Sequence, residues 1–154
     1  MSETVEGLAD LKLALKDLAA DLKKKIVRAA LRDAAAPIRK AAIANAPTLQ
    51  KPHPYRLPGT LKKSIITKAS KRYTGKDGEI GVYIAVRKRK GLGGKAGARN
   101  PFDPFYWRFQ EFGTKNHPPQ KFLTPAFDAN AKKSIQIFQT RIKTRIDKAN
   151  ARKP

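Results

Sequence analysis

The chain has 154 residues, of which 40% are hydrophobic, and a formal net charge of +22 at pH 7. This length predicts one domain, residues 1–154, that buries a core without metals or disulfides. The absence of cysteine excludes disulfide bonds and thiolate metal sites. The sequence contains no apolar run long enough for a membrane span and no secretory signal, so we expect synthesis in the cytoplasm and no membrane partner.

The excess of positive charge, 34 Lys and Arg against 12 Asp and Glu, predicts a partner with negative charge. Nucleic acid and acidic proteins are the two candidates, and well-solvated lysines are the simpler alternative. The basic residues are spread along nearly the whole chain, so they do not form one basic tail.

The first 45 residues have the apolar spacing of helices. Leucines three and four residues apart predict a seam that packs on its own domain or forms a coiled coil: Leu8, Leu11, Leu15, Leu18 and Leu22. We predict a helix over 8–19 and a longer one over 21–45, capped by Asp21, with one continuous rod as the alternative. Pro37 predicts a kink or a new helix start, and residues 4–6 a short edge strand.

The longer helix has an apolar i, i+4 ridge that includes small residues, which predicts a closely packed partner element. The ridge consists of Leu22, Ile26, Ala30, Ala34 and Ile38. Prolines in residues 47–59 then predict an extended loop, in which His53 is an exposed residue rather than a metal ligand.

The middle of the chain has the pattern of a β-hairpin. After one helical turn over 61–65, residues 66–73 and 79–87 alternate as strands and are separated by a glycine turn at 74–78. The second strand is partly apolar on both sides, so we expect it to be central and covered on both faces.

Residues 87–100 combine basic residues with glycines and predict a mobile loop. The spacing of its glycines fits neither phosphate-binding loop pattern. We predict that the loop contacts DNA or a neighbouring subunit, with a solvated insertion as the alternative. The contacts would be made by Arg87, Lys88, Arg89, Lys90, Lys95 and Arg99.

Residues 105–130 hold most of the aromatic residues. Helical spacing predicts that Phe105, Phe109 and Phe112 enter the core and that the left-handed Gly113 ends their helix. A stiff exposed turn follows, and Thr124 and Pro125 predict the start of the last helix. The apolar stripe of that helix is predicted to be Phe127, Ala131, Ile135, Phe138, Ile142, Ile146 and Ala149.

We find no pattern that predicts catalysis or a cofactor. Asp103, Glu111 and Asp128 form no paired-carboxylate motif, and His117 has no recognisable catalytic partners. Two histidines without cysteine do not supply a usual zinc site. We therefore predict a protein that is not an enzyme.

Residues 111–130, EFGTKNHPPQKFLTPAFDAN, resemble the E-F-G-T and P-x-x-F-L-x-P-A-F signature of the neck or tail-completion proteins of long-tailed phages. The resemblance extends in the same order to residues 8–11, 36–47 and 59–65. The basic, glycine-rich segment 87–100 departs from the small-residue approach that is usual in this family.

The resemblance implies an α+β fold, in which a small antiparallel sheet packs against a long N-terminal helix and a C-terminal helix. It implies a virion protein of the head–tail junction, a hexameric or dodecameric ring around the DNA channel. Its partners would be itself, head connector proteins, tail terminator or tail tube proteins and genomic DNA. A sequence-independent nucleic-acid-binding module is the alternative.

Within this reading, the turn between the aromatic helix and the last helix is the predicted assembly interface. Its residues are Glu111, Phe112, Gly113, Thr114, Lys115, His117, Pro118, Pro119 and Gln120.

Overall fold

In a computed structural model of the chain, residues 13, 15–16, 18–51, 53–74, 79–90 and 97–151 are described. The elements are α1 (Ala20–Asn45), α2 (Thr60–Ser64), β1 (Ile65–Thr74), β2 (Ile80–Val86), α3 (Trp107–Phe112) and α4 (Leu123–Asn150). The predicted α+β class, with a small antiparallel sheet against two long helices, is confirmed.

The chain leaves helical geometry just before α1, in agreement with the predicted division near residues 19–21. Ala19 has φ −55° and ψ 140°, and α1 starts at the next residue. Asp21 is not the cap, because Ala19 holds that position without a side-chain hydrogen bond. Asp21 instead lies in the first turn, where a negative charge suits the helix dipole. The predicted strand at 4–6 and most of the predicted helix at 8–19 lie outside the described residues.

Helix α1 passes through Pro37 as one element, so Pro37 does not start a new helix. Its buried ridge contains Ile26 and three alanines, Ala30, Ala34 and Ala42. The partner predicted by these small residues is α4, which runs antiparallel to α1. The start of α1 packs with Ile142 near the end of α4, and its end packs in the cluster that holds the start of α4.

The predicted stripe of α4 is wrong in its first half. Phe127 is 57% exposed and Ile135 is 41% exposed, whereas the neighbouring Ala126 and Ser134 are buried. The alanine ridge of α1 brings the two helices close together, and small residues at the crossing allow that approach. Ile142 and Ile146 continue the buried ridge, as predicted.

The predicted hairpin is confirmed, with Ile65 opposite Val86 and Ala69 opposite Val82. The register then shifts between Ala69 and Thr74, so the pairing of the two strands is irregular there. Tyr73 packs beside Gly81, where an added Cβ would lie 2.9 Å from the Tyr73 ring.

The prediction that β2 is central and covered on both faces is wrong within the described part of the chain. The sheet there has two strands, and Tyr83 on its outer face is 47% exposed. The inner face packs on α1 through Ile65 and Val86, which belong to the main core cluster. None of the helices described is long and apolar enough to cross a membrane.

Candidate assembly surface around helix α3

Helix α3 is fixed to the body of the protein by its first residues. Tyr106 and Trp107 pack against the core cluster that contains Leu61 and Val86. The Arg56 guanidinium lies 5.2 Å from the Tyr106 ring centroid and 5.5 Å from that of Phe105. Burial raises the pKa of Tyr106, although the nearby Arg56 charge acts in the opposite direction.

The predicted burial of the phenylalanine face of α3 is wrong. Phe109 is 51% exposed, Phe112 is 72% exposed, and Phe105 is half-buried. Residues four apart share one face of a helix, so Trp107 and Glu111 form a second face. That second face turns to the core, and it therefore leaves Phe109 and Phe112 in solvent.

Glu111 joins α3 to the first turn of α4. Its Oε2 accepts hydrogen bonds from the amides of Phe122 at 2.8 Å and Leu123 at 2.9 Å. Its Oε1 accepts from the amide of Thr124 at 2.9 Å and from the Thr124 hydroxyl at 2.6 Å. These amides belong to the helix end whose N–H groups have no partner within the helix. Glu111 is thus the capping group of α4, from eleven residues away.

The predicted cap of α4 is therefore wrong. The helix begins at Leu123, and Thr124 donates to Glu111 instead of capping. Burial of Glu111 would raise the pKa of its carboxyl, but the hydrogen bonds from Thr124, Leu123 and Phe122 outweigh this and the pKa is lowered. Glu111 is 2% exposed, so its carboxylate contacts groups of its own protomer rather than a neighbouring subunit.

Gly113 ends α3 with a positive φ, as predicted, but not in the left-handed helical region. Its φ is 75° and its ψ is −179°, a combination that is almost confined to glycine. A Cβ at this position would lie 3.0 Å from the His117 carbonyl oxygen and 3.0 Å from both Cδ and N of Pro119. The backbone of the following turn is therefore packed directly onto Gly113.

The turn after Gly113 is exposed and internally hydrogen-bonded. The Thr114 amide donates to the His117 carbonyl at 2.9 Å, and the His117 amide donates to Thr114 Oγ1 at 3.1 Å. The Gln120 amide donates to the Gln110 carbonyl at 2.7 Å, which ties the turn back to α3. The exposed members of the predicted interface are Phe112, Thr114, Lys115, His117, Pro118, Pro119 and Gln120.

The described ends of the predicted mobile loop at 87–100 are held by two buried residues. Asp103 accepts from the Arg89 amide at 3.4 Å and from the Gly97 amide at 2.6 Å. The Asn100 side chain donates to the Arg89 carbonyl at 2.7 Å. Hydrogen bonds of Asp103 and Asn100 thus join the two ends of the loop.

The residues predicted to contact DNA or a partner differ in their exposure. Arg87, Lys88, Lys90 and Arg99 are exposed. Arg89 is half-buried, and its Nη2 donates to the Lys63 carbonyl at 3.5 Å. Lys95 lies outside the described residues, and the contacts of all six residues with DNA or a partner stay predictions.

Replacing Asp103 with alanine is expected to destabilise the protein by about 1–3 kcal/mol, because two amides at the loop ends lose their acceptor. Urea unfolding followed by circular dichroism measures this loss. Asp128→Ala removes the same charge from an exposed position of α4 and serves as the matched control. An Asp103 variant as stable as the control would contradict the role assigned to this carboxylate.

This surface displays exposed apolar and basic groups on elements that are joined by hydrogen bonds. Among the described residues, no group of three His, Asp or Glu side chains is placed to hold a metal ion. Glu111, the one strongly buried glutamate of this region, is already engaged with four donors.

A family model described as "Bacteriophage HK97-gp10, putative tail-component" matches residues 9–113. The chain belongs to this family, which confirms the resemblance to phage neck and tail-completion proteins. It is thus a phage tail component, in a structural family of the virion. No curated protein and no solved structure matches the chain. The family match contains α1, the hairpin and α3, whereas the exposed turn and α4 follow it.

Proposed function

We propose that this protein is a structural component of the phage head–tail junction. It assembles as a ring between the head connector and the tail terminator or tail tube, and the ring surrounds the channel through which the genome passes. The observation that carries the proposal is the rigid, exposed phenylalanine surface of α3 in a member of a phage tail-component family.

The exposure of Phe109 and Phe112 supports a protein–protein contact. Large apolar side chains that remain in solvent on a fixed element are typical of interfaces, where aromatic residues contribute much of the binding free energy. Phe127 is also exposed, one turn beyond the Thr124 residue that Glu111 holds. The three rings thus lie on two elements that one buried carboxylate joins.

The rigidity of this surface supports the same conclusion. Glu111 fixes α3 to α4, and Gly113 packs under the Thr114–His117 turn. A surface that is already ordered loses little conformational entropy on binding, so more of its contact free energy appears as affinity.

The charges around the phenylalanines indicate what the neighbouring surface would carry. Arg108, Lys115 and Lys121 are exposed and close to them in sequence, and Asp128 is the exposed acid that follows Phe127 on α4. A neighbour with an apolar centre and an acidic rim would complement this arrangement. In a ring, one face of each subunit meets a different face of the next, so the patch need not be self-complementary.

A complementation experiment tests the proposal. The phage carries a disrupted copy of this gene, and the host supplies the wild-type or variant gene in trans. The double variant Phe109→Ser/Phe112→Ser is expected to fold, to leave heads and tails unjoined, and to lower infectious yield at least tenfold. Electron microscopy of lysates and plaque titre measure the two effects. Ile135→Ser, at an exposed apolar position on α4, is the matched control and should restore joining. Normal joining with the double variant would overturn the proposed role of this surface.

A further inference from the structure

Helix α1 carries a line of cations on the side that faces away from its buried alanine ridge. The line consists of Lys25, Arg28, Arg32 and Arg39, and we call it the basic stripe. Intervals of three, four and seven residues keep side chains on one helix face. Lys25, Arg32 and Arg39 are exposed, and Arg28 is half-buried between them.

The stripe has one sign of charge. Residues 20–45 contain seven lysines and arginines, but Asp21 and Asp33 are the only acids in that range of the sequence. Asp33 is on another side of the helix and pairs with Arg145 of α4 at 2.8 Å. The exposed members of the stripe, Lys25, Arg32 and Arg39, present like charges to solvent on one helix face, and an anion bound there would offset their mutual repulsion.

The surroundings of the stripe suit the approach of an extended anion. Ala29 and Ala36 neighbour the cations along α1, and their short side chains do not shield them; Ala29 is half-buried, and Ala36 is exposed at the edge of a groove toward α4. The Arg39 Nε donates to the Ile65 carbonyl at 3.0 Å, which anchors the guanidinium at the surface through one of its five N–H groups. Arginine is well suited to phosphate because its planar group presents paired donors.

We propose that the basic stripe binds the phosphate backbone of duplex DNA without sequence preference. From Lys25 to Arg39 the helix rises by about 21 Å at about 1.5 Å per residue. Duplex DNA carries one negative charge per about 1.7 Å of its axis, so a stripe of this length meets several phosphates. The stripe would be the face that the ring turns to its channel; this placement rests on the proposed function, whereas the binding itself does not.

Two triple variants of the full chain distinguish DNA binding by the basic stripe from an effect of the net charge. Lys25→Gln/Arg32→Gln/Arg39→Gln removes the exposed cations of the stripe, and Lys133→Gln/Arg141→Gln/Lys143→Gln removes three exposed cations from α4. Each variant lowers the net charge by three, from +22 to +19. Fluorescence anisotropy with a mixed-sequence 30-base-pair duplex, over a range of salt concentrations, measures binding, and circular dichroism checks folding.

The stripe variant is expected to lose at least about tenfold in affinity, and its plot of log affinity against log salt should flatten by about three units. The α4 variant should lose much less. Equal losses in the two variants, or undiminished DNA binding by a folded stripe variant, would overturn the proposal and leave an acidic protein as the partner of the stripe. The Phe109→Ser/Phe112→Ser variant should bind DNA normally, so a failure of DNA binding and a failure of head–tail joining are read separately.

Discussion

Replacing Glu111 with glutamine is expected to lower the free energy of unfolding by about 3 kcal/mol, because buried donors would lose charged acceptors. Both carboxylate oxygens accept from backbone amides at the start of α4. A glutamine retains one oxygen but turns an NH2 group toward the remaining donors. Glu79→Gln is the matched control, since Glu79 is exposed and the change of charge is the same. Urea denaturation of both variants measures the difference.

The same carboxylate is expected to make stability depend on pH. Its pKa is lower in the folded protein than in the unfolded chain, where a glutamate titrates at about 4.3. The stabilisation is therefore complete above the unfolded pKa and is lost as the pH falls through the folded pKa. Unfolding free energies between pH 7 and pH 3 should fall more steeply in the wild type than in Glu111→Gln. Parallel curves, or equal stability of Glu111→Gln and Glu79→Gln at pH 7, would contradict the capping role.

Replacing Gly113 with valine is expected to destabilise the protein by about 2–5 kcal/mol and to prevent assembly. The backbone angles at Gly113 disfavour any side chain, and a Cβ would press on the turn at His117 and Pro119. Displacement of the turn would move the segment that we place at the subunit interface. Thermal unfolding and particle yield measure the two effects.

Gly59 offers a matched comparison when each of the two glycines is replaced with alanine. It has a similar φ of 74° but a ψ of 2°, and no atom lies within 4 Å of an added Cβ. Gly59→Ala is expected to cost about 1 kcal/mol, which is the ordinary cost of a left-handed residue. If Gly113→Ala were as mild as Gly59→Ala, the close packing of the turn on Gly113 would be refuted.

The long helices and the hairpin were predictable because their periodicities extend over many residues. The i, i+4 ridge of α1 predicted close packing, and the alternation of residues 79–87 predicted β2. The faces of α3 and the first half of α4 were not predictable in this way. Apolar size favoured Phe112 and Phe127 as core residues, whereas the structure buries Glu111 and Ala126 beside them.

The two buried carboxylates could not be assigned from sequence. Glu111 caps a helix that starts twelve residues later, and Asp103 holds amides six and fourteen residues away. Apart from the Thr124 hydroxyl, their partners are backbone amides, which leave no residue-type signal at the matching positions. Gly113 was predictable as a helix end, but its contact with Pro119 depends on the path of the turn. The exposed turn itself was predicted from its prolines, and its role in assembly stays a prediction.

A reconstruction of the joined head–tail region of the phage particle tests the central claim most directly. We expect this chain to form a ring at that junction, with Phe109 and Phe112 buried against a neighbouring subunit or adjoining protein. We expect the basic stripe of α1 to line the channel. Absence of the chain from the junction, or a junction ring in which both phenylalanines remain in solvent, would contradict the account.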